Sequence, residues 1–411
     1  MDEGDQEILQ VQMNILILAN KLPYPPRDGG SIATLNLMTG LRDAGHRITL
    51  LAINTRKHPF PVDRIPHSVS DSIRIMAVDA DTSIQPLAMA GNLLFSREPY
   101  IASRFRLTGF ADALEQLLSE ETFDLIQLEG PYLGHYLPLI RRRCGCKVSL
   151  RAHNAEHQIW SRKADHETHP FRRWYLKNLA RRLYNFELGV AEASDLIVPI
   201  SPVDEARFRE MGIRIPMLTI PAGLSITRYP PSTLPLEPTL FFIGALDWLP
   251  NQEGLEWFLE RVFPQVVGRV RGLRFHVAGR NAPEQMINKL KHPQITFHGE
   301  VEDAIAFMQS YRVMVAPLMT GSGIRIKVLE GMAMGRPVLT TAVGIEGIGA
   351  VHGKEVLVAD TPDEWAGLLG KLLNSDEEAT RTALNGREFV RQNFDTFEVA
   401  NRLSQFYNTQ V

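Results

Sequence analysis

Short apolar runs alternate along the chain with longer stretches in which apolar residues recur every three or four positions. This alternation is typical of buried strands that are connected by amphipathic helices around a parallel sheet. The apolar runs fall into two sets of six, at residues 15–19, 48–53, 73–78, 125–128, 148–150 and 196–200, and at residues 239–243, 273–278, 295–298, 313–316, 338–341 and 356–358. Each set is sufficient for one doubly wound sheet, so the pattern predicts two α/β domains.

A proline-rich stretch separates the two sets of strands. Its prolines are Pro216, Pro221, Pro230, Pro231, Pro235 and Pro238. Since proline lacks a backbone N–H and has a fixed φ, this stretch can form neither a helix nor a central strand. We therefore predict a first domain over residues 13–212, a linker over 213–237, a second domain over 238–394 and a final helix over 396–411. A long surface loop inside one domain is the alternative interpretation.

Composition excludes several classes of protein. The 411 residues carry 44 Lys and Arg against 47 Asp and Glu, a formal net charge of −3, which argues against a strongly basic nucleic-acid-binding protein. Cys144 and Cys146 are too few for a disulfide framework or a zinc site and favour a reducing compartment. No apolar run approaches the length of a membrane-spanning helix, and the acidic N-terminus does not resemble a secretion signal. We expect a soluble, cytoplasmic protein.

A glycine pair follows the first predicted strand. Gly29 and Gly30 precede Ser31, and apolar residues at helical spacing begin at Ile32. Glycines before a helix let the backbone approach a ligand, and the free N–H groups at the start of a helix favour anions. These two glycines are therefore candidates for contacts with phosphate. The loop lacks the third glycine of the dinucleotide-binding fingerprint, and a tight turn capped by Ser31 is the alternative.

Polar residues crowd the end of the strand at residues 148–150, where ligands bind in open α/β sheets. Among them His153 is the candidate catalytic residue, because its pKa range suits proton transfer or hydrogen bonding near neutral pH. A surface histidine without a role is the alternative. His157 lies four residues further on, but no third ligand is evident, so we predict no metal site.

Residues 171–187 have the pattern of a basic amphipathic helix. An apolar stripe would contain Phe171, Tyr175, Leu179, Leu183 and Phe186, and the opposite face would contain Arg173, Lys177 and Arg181. Such a helix can lie against an anionic membrane surface or attract a phosphorylated acceptor. A solvated basic face is the alternative interpretation.

The segment after the strand at residues 313–316 contains the densest candidate chemistry. Gly321 and Gly323 allow a loop to approach a diphosphate, and the helix that follows directs N–H groups at it. Arg325 and Lys327 place two cations at the start of that helix, which is unfavourable by roughly 0.3–1 kcal/mol unless an anion lies between them. Glu330 shares a face with Lys327 and is suited to binding a ribose diol. A simple ion pair between Lys327 and Glu330 is the alternative.

At this segment the chain resembles the GT-B glycosyltransferases, and within them glycosyltransferase family 4, the group 1 glycosyltransferases. The resemblance covers nearly the whole chain. It is carried by the Pro-Pro-Arg-Asp-Gly-Gly loop, Gly45-His46, Phe242-Ile243-Gly244, Val277-Ala278-Gly279, Phe297-His298-Gly299 and Leu329-Glu330-Gly331-Met332-Ala333-Met334-Gly335-Arg336-Pro337-Val338.

The resemblance implies a GT-B fold in the α/β class, with two Rossmann-like domains that face each other across a central cleft and a last helix that packs back on the first domain. It implies a nucleotide-sugar donor, a UDP- or GDP-sugar, and no metal ion or other cofactor. The donor-binding residues would be Gly29, Gly30, Gly244, Gly279, Ser322, Gly323, Ile324, Arg325, Lys327 and Glu330. The catalytic residues would be His153, Arg325 and Lys327, with Glu330 on the ribose hydroxyls and His153 facing the transferred sugar.

Two positions depart from the family pattern. Ser322 stands where the family has the first glutamate of its Glu-x7-Glu pattern, which usually contacts the donor sugar. The family's basic residue after Gly244 is also missing, which leaves Arg325 and Lys327 as the phosphate partners.

The predicted activity is transfer of a sugar to an acceptor hydroxyl, with retention of configuration and without a metal ion, in polysaccharide or glycoconjugate biosynthesis. The acceptor is a glycan, a lipid-linked sugar or a small molecule, and peripheral contact with the inner membrane face is expected through helix 171–187. A sugar-nucleotide epimerase of the GT-B type and a non-catalytic sugar-nucleotide-binding module are the alternatives. Glu129 and Glu156 are available for the epimerase.

Overall fold

A computed structural model of the chain describes residues 11–26, 28–320 and 324–411. These residues form two compact units. The first unit contains the described residues up to Gly223 together with Thr396–Val411, and the second unit is Leu224–Asp395. The second unit is therefore inserted into the first in sequence, and the last helix belongs to the first unit.

Each unit contains a six-stranded sheet in which neighbouring strands run parallel. The strands are β1 (Asn14–Ala19), β2 (Arg47–Thr55), β3 (Ile73–Ala80), β4 (Leu125–Glu129), β5 (Lys147–Ala152), β6 (Leu196–Pro199), β7 (Thr239–Ile243), β8 (Arg274–Ala278), β9 (Ile295–Gly299), β10 (Val313–Ala316), β11 (Val338–Thr340) and β12 (Leu357–Val358). The prediction of two α/β sheets is confirmed, because each predicted apolar run forms a strand whose ends differ from the prediction by at most two residues.

The helices surround these sheets. They are α1 (Gly29–Asp43), α2 (His67–Ser70), α3 (Pro86–Phe95), α4 (Tyr100–Ser103), α5 (Thr108–Glu120), α6 (Leu137–Arg143), α7 (Glu156–His166), α8 (Pro170–Ala193), α9 (Pro202–Glu210), α10 (Leu249–Trp257), α11 (Phe263–Val267), α12 (Glu284–Lys289), α13 (Ala304–Gln309), α14 (Ile326–Ala333), α15 (Ala342–Ile345), α16 (Pro362–Asn374), α17 (Asp376–Phe394) and α18 (Thr396–Gln410). In the described chain, no helix is both long enough and apolar enough to cross a membrane.

The central strands are apolar on both faces because helices cover both sides of each sheet. In β1, Leu16 and Leu18 pack into the core on one side, and Ile15 and Ile17 pack into the core on the other. The strand orders are β3-β2-β1-β4-β5-β6 and β12-β11-β10-β7-β8-β9. In each unit the order reverses beside the first strand, and ligands of open α/β sheets bind at the carboxyl ends of the strands at such a switch point.

The last helix, α18, completes the core of the first unit. Ala400 and Thr396 lie so close to Gly40 of α1 that a side chain at this glycine would overlap them. At the other end of the helix, the buried hydroxyl of Tyr407 lies 2.6 Å from Oε1 of Gln127 and 3.0 Å from Oγ of Ser149. These polar contacts attach α18 to two central strands of the sheet.

The proline-rich stretch over residues 213–237 is divided between the units at Gly223. Its first part runs beside β6, where the N–H groups of Leu218 and Ile220 donate to the carbonyls of Ile197 and Pro199. Its second part belongs to the second unit, and arginines hold it there through backbone carbonyls. The pairs are Arg387 with Tyr229, Arg336 with Thr233 and Arg312 with Pro235. The prolines prevent regular structure, and these side-chain donors satisfy the carbonyls instead.

The two cysteines are bonded to each other. Cys144 and Cys146, which follow α6, form a disulfide across a single residue. The small number of cysteines led us to expect a reducing compartment, and we did not predict this disulfide.

We expect Tyr407→Phe to lower the free energy of unfolding of the first unit by about 1–3 kcal/mol, because Gln127 and Ser149 keep their burial but lose a hydrogen-bond partner. Urea unfolding measures the loss, and hydrogen exchange of α18 assigns it to the first unit. Tyr184→Phe is the matched control, because the described structure gives the Tyr184 hydroxyl no hydrogen bond and this variant should unfold like the parent. Equal losses in the two variants would show that the buried network does not anchor α18.

Candidate active site

A small polar pocket lies at the carboxyl ends of the central strands of the first unit. Its volume is about 150 Å³. It lies where β1, β4 and β5 end beside the switch point of the sheet, and the first turn of α1 forms part of its wall. The lining residues are Ala19, Asn20, Lys21, Pro23, Gly30, Ser31, Thr34, Glu129, Gly130, Pro131, Tyr132, His153 and Glu156.

The start of α1 differs from the sequence prediction. Helix α1 begins at Gly29, so Gly29 and Gly30 form its first turn and do not lie in a preceding loop. The cap is Asp28, whose Oδ1 accepts from the N–H of Ser31, which lies inside the helix. Lys21 binds the same carboxylate at 2.6 Å. Burial acts to raise the pKa of Asp28, but the hydrogen bonds and charge of Lys21 outweigh it and hold the pKa low. The helix therefore begins with an ion pair at the edge of the pocket.

His153 is paired with Glu129. Glu129 ends β4 and His153 directly follows the adjacent β5, so the parallel register brings their side chains together. Nε2 of His153 lies 2.6 Å from Oε2 of Glu129. Because the carboxylate accepts, Nε2 carries the hydrogen, and Nδ1 of a neutral ring is left as an acceptor. The pair fixes the orientation of the imidazole in the pocket.

Glu129 is 3% exposed, and its charge is compensated by its neighbours. The hydroxyl of Thr34 donates to Oε2 at 2.9 Å, and the amide of Gln127 donates to Oε1. Burial acts to raise the pKa of Glu129, but the hydrogen bond and charge of His153, with Arg151 and Thr34, hold the pKa below its ordinary value. Glu129 is therefore ionised at neutral pH and serves to orient His153.

Glu156 supplies a second carboxyl group to the pocket, and its pKa is shifted in the opposite direction from that of Glu129. The hydroxyl of Tyr132 donates to its Oε2 at 2.9 Å. Burial raises the pKa of Glu156 to about 7, and the nearby carboxylate of Glu187 adds to the rise. Glu187 itself accepts from the N–H groups of Glu156 and His157 at the start of α7. The pocket thus contains one ionised carboxylate and one that titrates near neutral pH.

A wider groove of about 920 Å³ shares Asn20 and Lys21 with this pocket. Phe105 and Trp160 offer aromatic surface in the groove, and Arg56, Lys57 and Arg104 add positive charge. A ligand with both apolar ring faces and polar groups, such as a sugar, suits this lining.

In the second unit, Gly244 and Lys327 make a close contact at the carboxyl end of β7. A side chain at Gly244 would overlap Nζ of Lys327 and the amide of Asn251. Gly279, at the end of the neighbouring β8, is equally constrained, because a side chain there would overlap the Gly244 carbonyl. Gly244 therefore leaves the space that the Lys327 ammonium occupies, and Gly279 allows the chain after β8 to pass close to Gly244.

The ammonium of Lys327 is buried and has no hydrogen-bond partner among the described residues. It lies 5.8 Å from the ring centre of Phe242. Burial lowers the pKa of Lys327 to about 8, with Arg280 adding to the fall and Glu330 opposing it. A buried cation without a hydrogen-bonded partner is costly, so this position is suited to an incoming anion.

Glu330 lies one turn further along α14. The hydroxyl of Tyr229 donates to its Oε1 at 2.8 Å. Burial raises the pKa of Glu330, although the Tyr229 hydrogen bond and the charge of Lys327 act in the opposite direction. Among the described residues Glu330 and Lys327 form no ion pair, so each charge is held separately.

The remaining predicted donor-binding residues lie around the start of α14. Arg325 is the residue before the helix and is 7% exposed, and Ile324 is half-buried. Ser322 and Gly323 lie outside the described residues. The chain is described on both sides of them, but their predicted contacts with the donor stay predictions.

Several site residues escaped the sequence analysis. Tyr229 comes from the proline-rich stretch and Tyr132 from a short 3-10 helix after β4, and neither lies in a recognisable motif. Glu129 was predicted only as a carboxylate for the epimerase, although it directly follows an apolar run that is adjacent in the sheet to the one before His153. Across residues 11–26, 28–320 and 324–411, no group of three or more His, Cys, Asp or Glu side chains is arranged to hold a metal ion.

Two family models match consecutive parts of the chain. Residues 28–223 match the model described as glycosyl transferase 4-like domain, and residues 237–375 match the model described as glycosyl transferases group 1. Together they span about four fifths of the 411 residues. The chain belongs to the group 1 glycosyltransferases, and it is a glycosyl transferase with the GT-B fold.

Individual relatives agree with this assignment over most of the chain. An uncharacterized 44.6 kDa protein in the cps region of Klebsiella pneumoniae is 22% identical over 395 residues, which cover 94% of this chain and 97% of the relative. Sucrose-phosphate synthase from Thermosynechococcus elongatus superposes with a TM-score of 0.71 at 18% identity, covering 96% of this chain and 98% of the synthase. HepE from Anabaena, in complex with UDP, superposes with a TM-score of 0.69 at 13% identity, covering 97% of this chain and 100% of HepE. At these identities the two structures share the fold with this chain.

We expect the stability of Glu156→Gln, relative to the parent, to rise with pH. The parent carboxyl holds its proton up to about pH 7 when folded but only to 4.5 when unfolded. The stability that this proton provides is therefore complete below 4.5 and is lost as the pH rises towards 7. Between about pH 5 and pH 7.5 the difference in free energy of unfolding should shift by about 1–3 kcal/mol in favour of the glutamine variant.

Urea unfolding at several pH values measures this shift. Glu192→Gln, at an exposed carboxylate of α8, is the matched control and should show no such trend. A difference between Glu156→Gln and the parent that does not change with pH would contradict the assigned titration.

Proposed function

We propose that this chain transfers a glycosyl group from a UDP-sugar to an acceptor hydroxyl, without a metal ion and with retention of the anomeric configuration. The observation that carries the proposal is the buried ammonium of Lys327, which lacks a hydrogen-bond partner among the described residues. HepE, which shares the fold, has been crystallised with UDP and with UDP-glucose. This supports uridine as the donor base.

In this proposal the donor diphosphate binds beside Gly244, because only a glycine leaves Lys327 room to reach the strand ends. The positive charge of Lys327 and the N–H groups at the start of α14 attract the phosphates. Glu330 lies one turn deeper and accepts hydrogen bonds from the ribose hydroxyls, while Tyr229 holds its carboxyl group in place.

The reaction breaks the bond between the anomeric carbon and the oxygen of the β-phosphate. Negative charge then develops on the UDP that leaves, and positive charge develops on the sugar ring. Lys327 and Arg325 stabilise the negative charge on the leaving UDP, in place of a metal ion. Charge-assisted hydrogen bonds contribute about 1.5–3 kcal/mol each. Enzymes lower barriers by at least about 8 kcal/mol, so two such bonds supply a substantial part of the effect.

The acceptor hydroxyl forms the new bond on the same face of the sugar, and its proton passes to an oxygen of the leaving phosphate. Retention follows from the resemblance to family 4. In the first unit, His153 is proposed to contact the transferred sugar through Nδ1, since Glu129 holds Nε2. The groove with Phe105 and Trp160 is proposed to bind the acceptor. The coupling constant of the anomeric proton in the product distinguishes retention from inversion.

We expect Lys327→Ala to slow transfer and to weaken UDP binding by about 10- to 150-fold, the range of one charge-assisted hydrogen bond. The free energy of unfolding should be unchanged or higher, because the variant removes an unpaired buried charge. Binding of UDP to the parent should also weaken as the pH rises through about 8, where Lys327 loses its proton, whereas binding to the variant should not. Calorimetric titration of UDP and the rate of UDP release measure these effects.

Lys291→Ala, at an exposed lysine of the second unit, is the matched control and should behave like the parent. Transfer in the presence of EDTA should proceed at the full rate. A Lys327→Ala variant that retains the parent's UDP affinity and turnover would refute the assigned role. Product formed from the donor alone, without acceptor, would instead favour the epimerase.

We expect Glu330→Gln to reduce discrimination between UDP and its 2′- or 3′-deoxy analogues. The parent should bind the deoxy analogues about 10- to 150-fold more weakly than UDP, because a hydrogen bond to a charged acceptor is lost. The neutral glutamine amide should reduce this ratio to about 2- to 13-fold, since neutral hydrogen bonds contribute about 0.5–1.5 kcal/mol. Glu300→Gln, at an exposed carboxylate, is the control and should retain the parent's ratio. An unchanged ratio in Glu330→Gln would place the ribose elsewhere.

A further inference from the structure

Helix α3 of the first unit has an apolar outer surface. Its sequence, PLAMAGNLLF, contains one polar residue, Asn92, and none of its residues is fully buried. Leu87 is 90% exposed, Leu94 is 74% exposed and Phe95 is 89% exposed. An ordinary surface helix presents its polar side to water, so the polarity of α3 is inverted.

Polar contacts with α8 and α4 fix this orientation. Arg182 of α8 donates to Oδ1 of Asn92 at 3.2 Å and to the carbonyl of Leu93, also at 3.2 Å, at the end of α3. At the start of the helix, the N–H of Gln85 donates to the hydroxyl of Tyr100 at 2.8 Å. Since both ends of α3 are bound to the body of the unit through polar groups, its leucines and phenylalanine are turned away from that body.

The start of α8 extends the apolar surface. The sequence pattern places Phe171 in one apolar stripe with Leu179 and Leu183, and of these three residues the two leucines are buried. Phe171 is 65% exposed and Trp174 is 53% exposed, and their ring centres lie 5.7 Å apart. The buried residues of α8 therefore begin further along the helix, at Leu176, and the first part of the apolar stripe is exposed.

Both ends of α3 are linked to α8. The end of α3 contacts Arg182, and Tyr100, which binds the start of α3, lies near Tyr175 of α8. Burial raises the pKa of Tyr175, and Tyr100 adds to that rise, which reflects their proximity. We refer to the exposed apolar residues of α3, of the segment before it and of the start of α8 together as the α3/α8 face, which consists of Ile84, Leu87, Leu94, Phe95, Phe171 and Trp174.

Positive charge accompanies this face. Exposed cations follow α3 and line the first half of α8, and they are Arg97, Arg172, Arg173, Lys177 and Arg181. No Asp or Glu occurs between residues 170 and 186. In the part of the chain that the structure describes, none of these five cations forms a salt bridge.

We propose that the α3/α8 face docks on an anionic lipid bilayer. Leucine, phenylalanine and tryptophan side chains enter the boundary between headgroups and acyl chains, and lysine and arginine bind the anionic headgroups, as in helices that lie in the membrane interface. A protein partner would have to supply an apolar surface surrounded by carboxylates. An anionic bilayer supplies apolar acyl chains and negatively charged headgroups over its whole surface. The proposal does not depend on the donor site, since that site lies in the second unit.

Flotation of the full chain with vesicles tests the proposal. The chain should bind phosphatidylcholine vesicles that contain phosphatidylglycerol and should bind pure phosphatidylcholine vesicles much more weakly. The double variant Leu87→Glu, Phe95→Glu should lower the partition coefficient by at least about tenfold. Replacing Arg172 and Arg173 by Glu should lower the partition coefficient on anionic vesicles by at least about fivefold for each cation, and should leave the partition coefficient on pure phosphatidylcholine vesicles unchanged. The same replacement should make binding to anionic vesicles depend less on salt. The fluorescence of Trp174 should shift to shorter wavelength on binding in the parent.

Leu236→Glu with Leu384→Glu is the matched control, because these leucines of the second unit are 78% and 63% exposed. This control should bind vesicles like the parent, and all variants should bind UDP like the parent, which separates this proposal from the proposed transferase activity. Equal partition of the parent and the Leu87→Glu, Phe95→Glu variant would overturn the proposal. The proposal would also be overturned if the parent did not bind vesicles but formed dimers that this variant abolished, since the face would then bind protein.

Discussion

A carboxylate buried at the end of a central strand is stable only if donors and cations surround it, and Glu129 imposes this constraint on the first unit. Thr34 of α1, Gln127 of β4 and His153 after β5 each donate to it. Through Gln127 the network continues to Tyr407 of α18. The requirement to satisfy one charge therefore connects the first helix, two central strands, the last helix and the histidine of the pocket.

The second unit treats its buried charge differently. Lys327 is brought to the strand ends by a glycine, and the described residues leave its ammonium without a hydrogen bond. The first unit thus satisfies its charge internally and gains a rigid side chain, whereas in the second unit the proposed donor would satisfy the charge. The fixed orientation of His153 and the unpaired positive charge of Lys327 are both forms of preorganisation.

The sequence predicted the sheets well, because burial on both faces makes each strand a continuous apolar run that needs no tertiary knowledge. It placed Gly29 and Gly30 before α1 and not within it, since the capping role of Asp28 depends on Lys21 as well as on local sequence. The pairing of Glu129 with His153 depends on the order of strands in the sheet, which periodicity does not contain. The outward side of α3 was equally inaccessible, because contacts with another helix decide it.

The placement of α18 has a consequence for the order of events during translation. The ribosome makes residues 396–410 only after all of Leu224–Asp395 has been made, yet α18 belongs to the first unit. Until then the surface of α1 around Gly40 lacks its cover, and Gln127 and Ser149 lack the hydroxyl of Tyr407. The second unit is continuous in sequence and has no such delay. Although domains usually complete folding from the N-terminus onward, here the unit that emerges first is the one that must wait for the last helix.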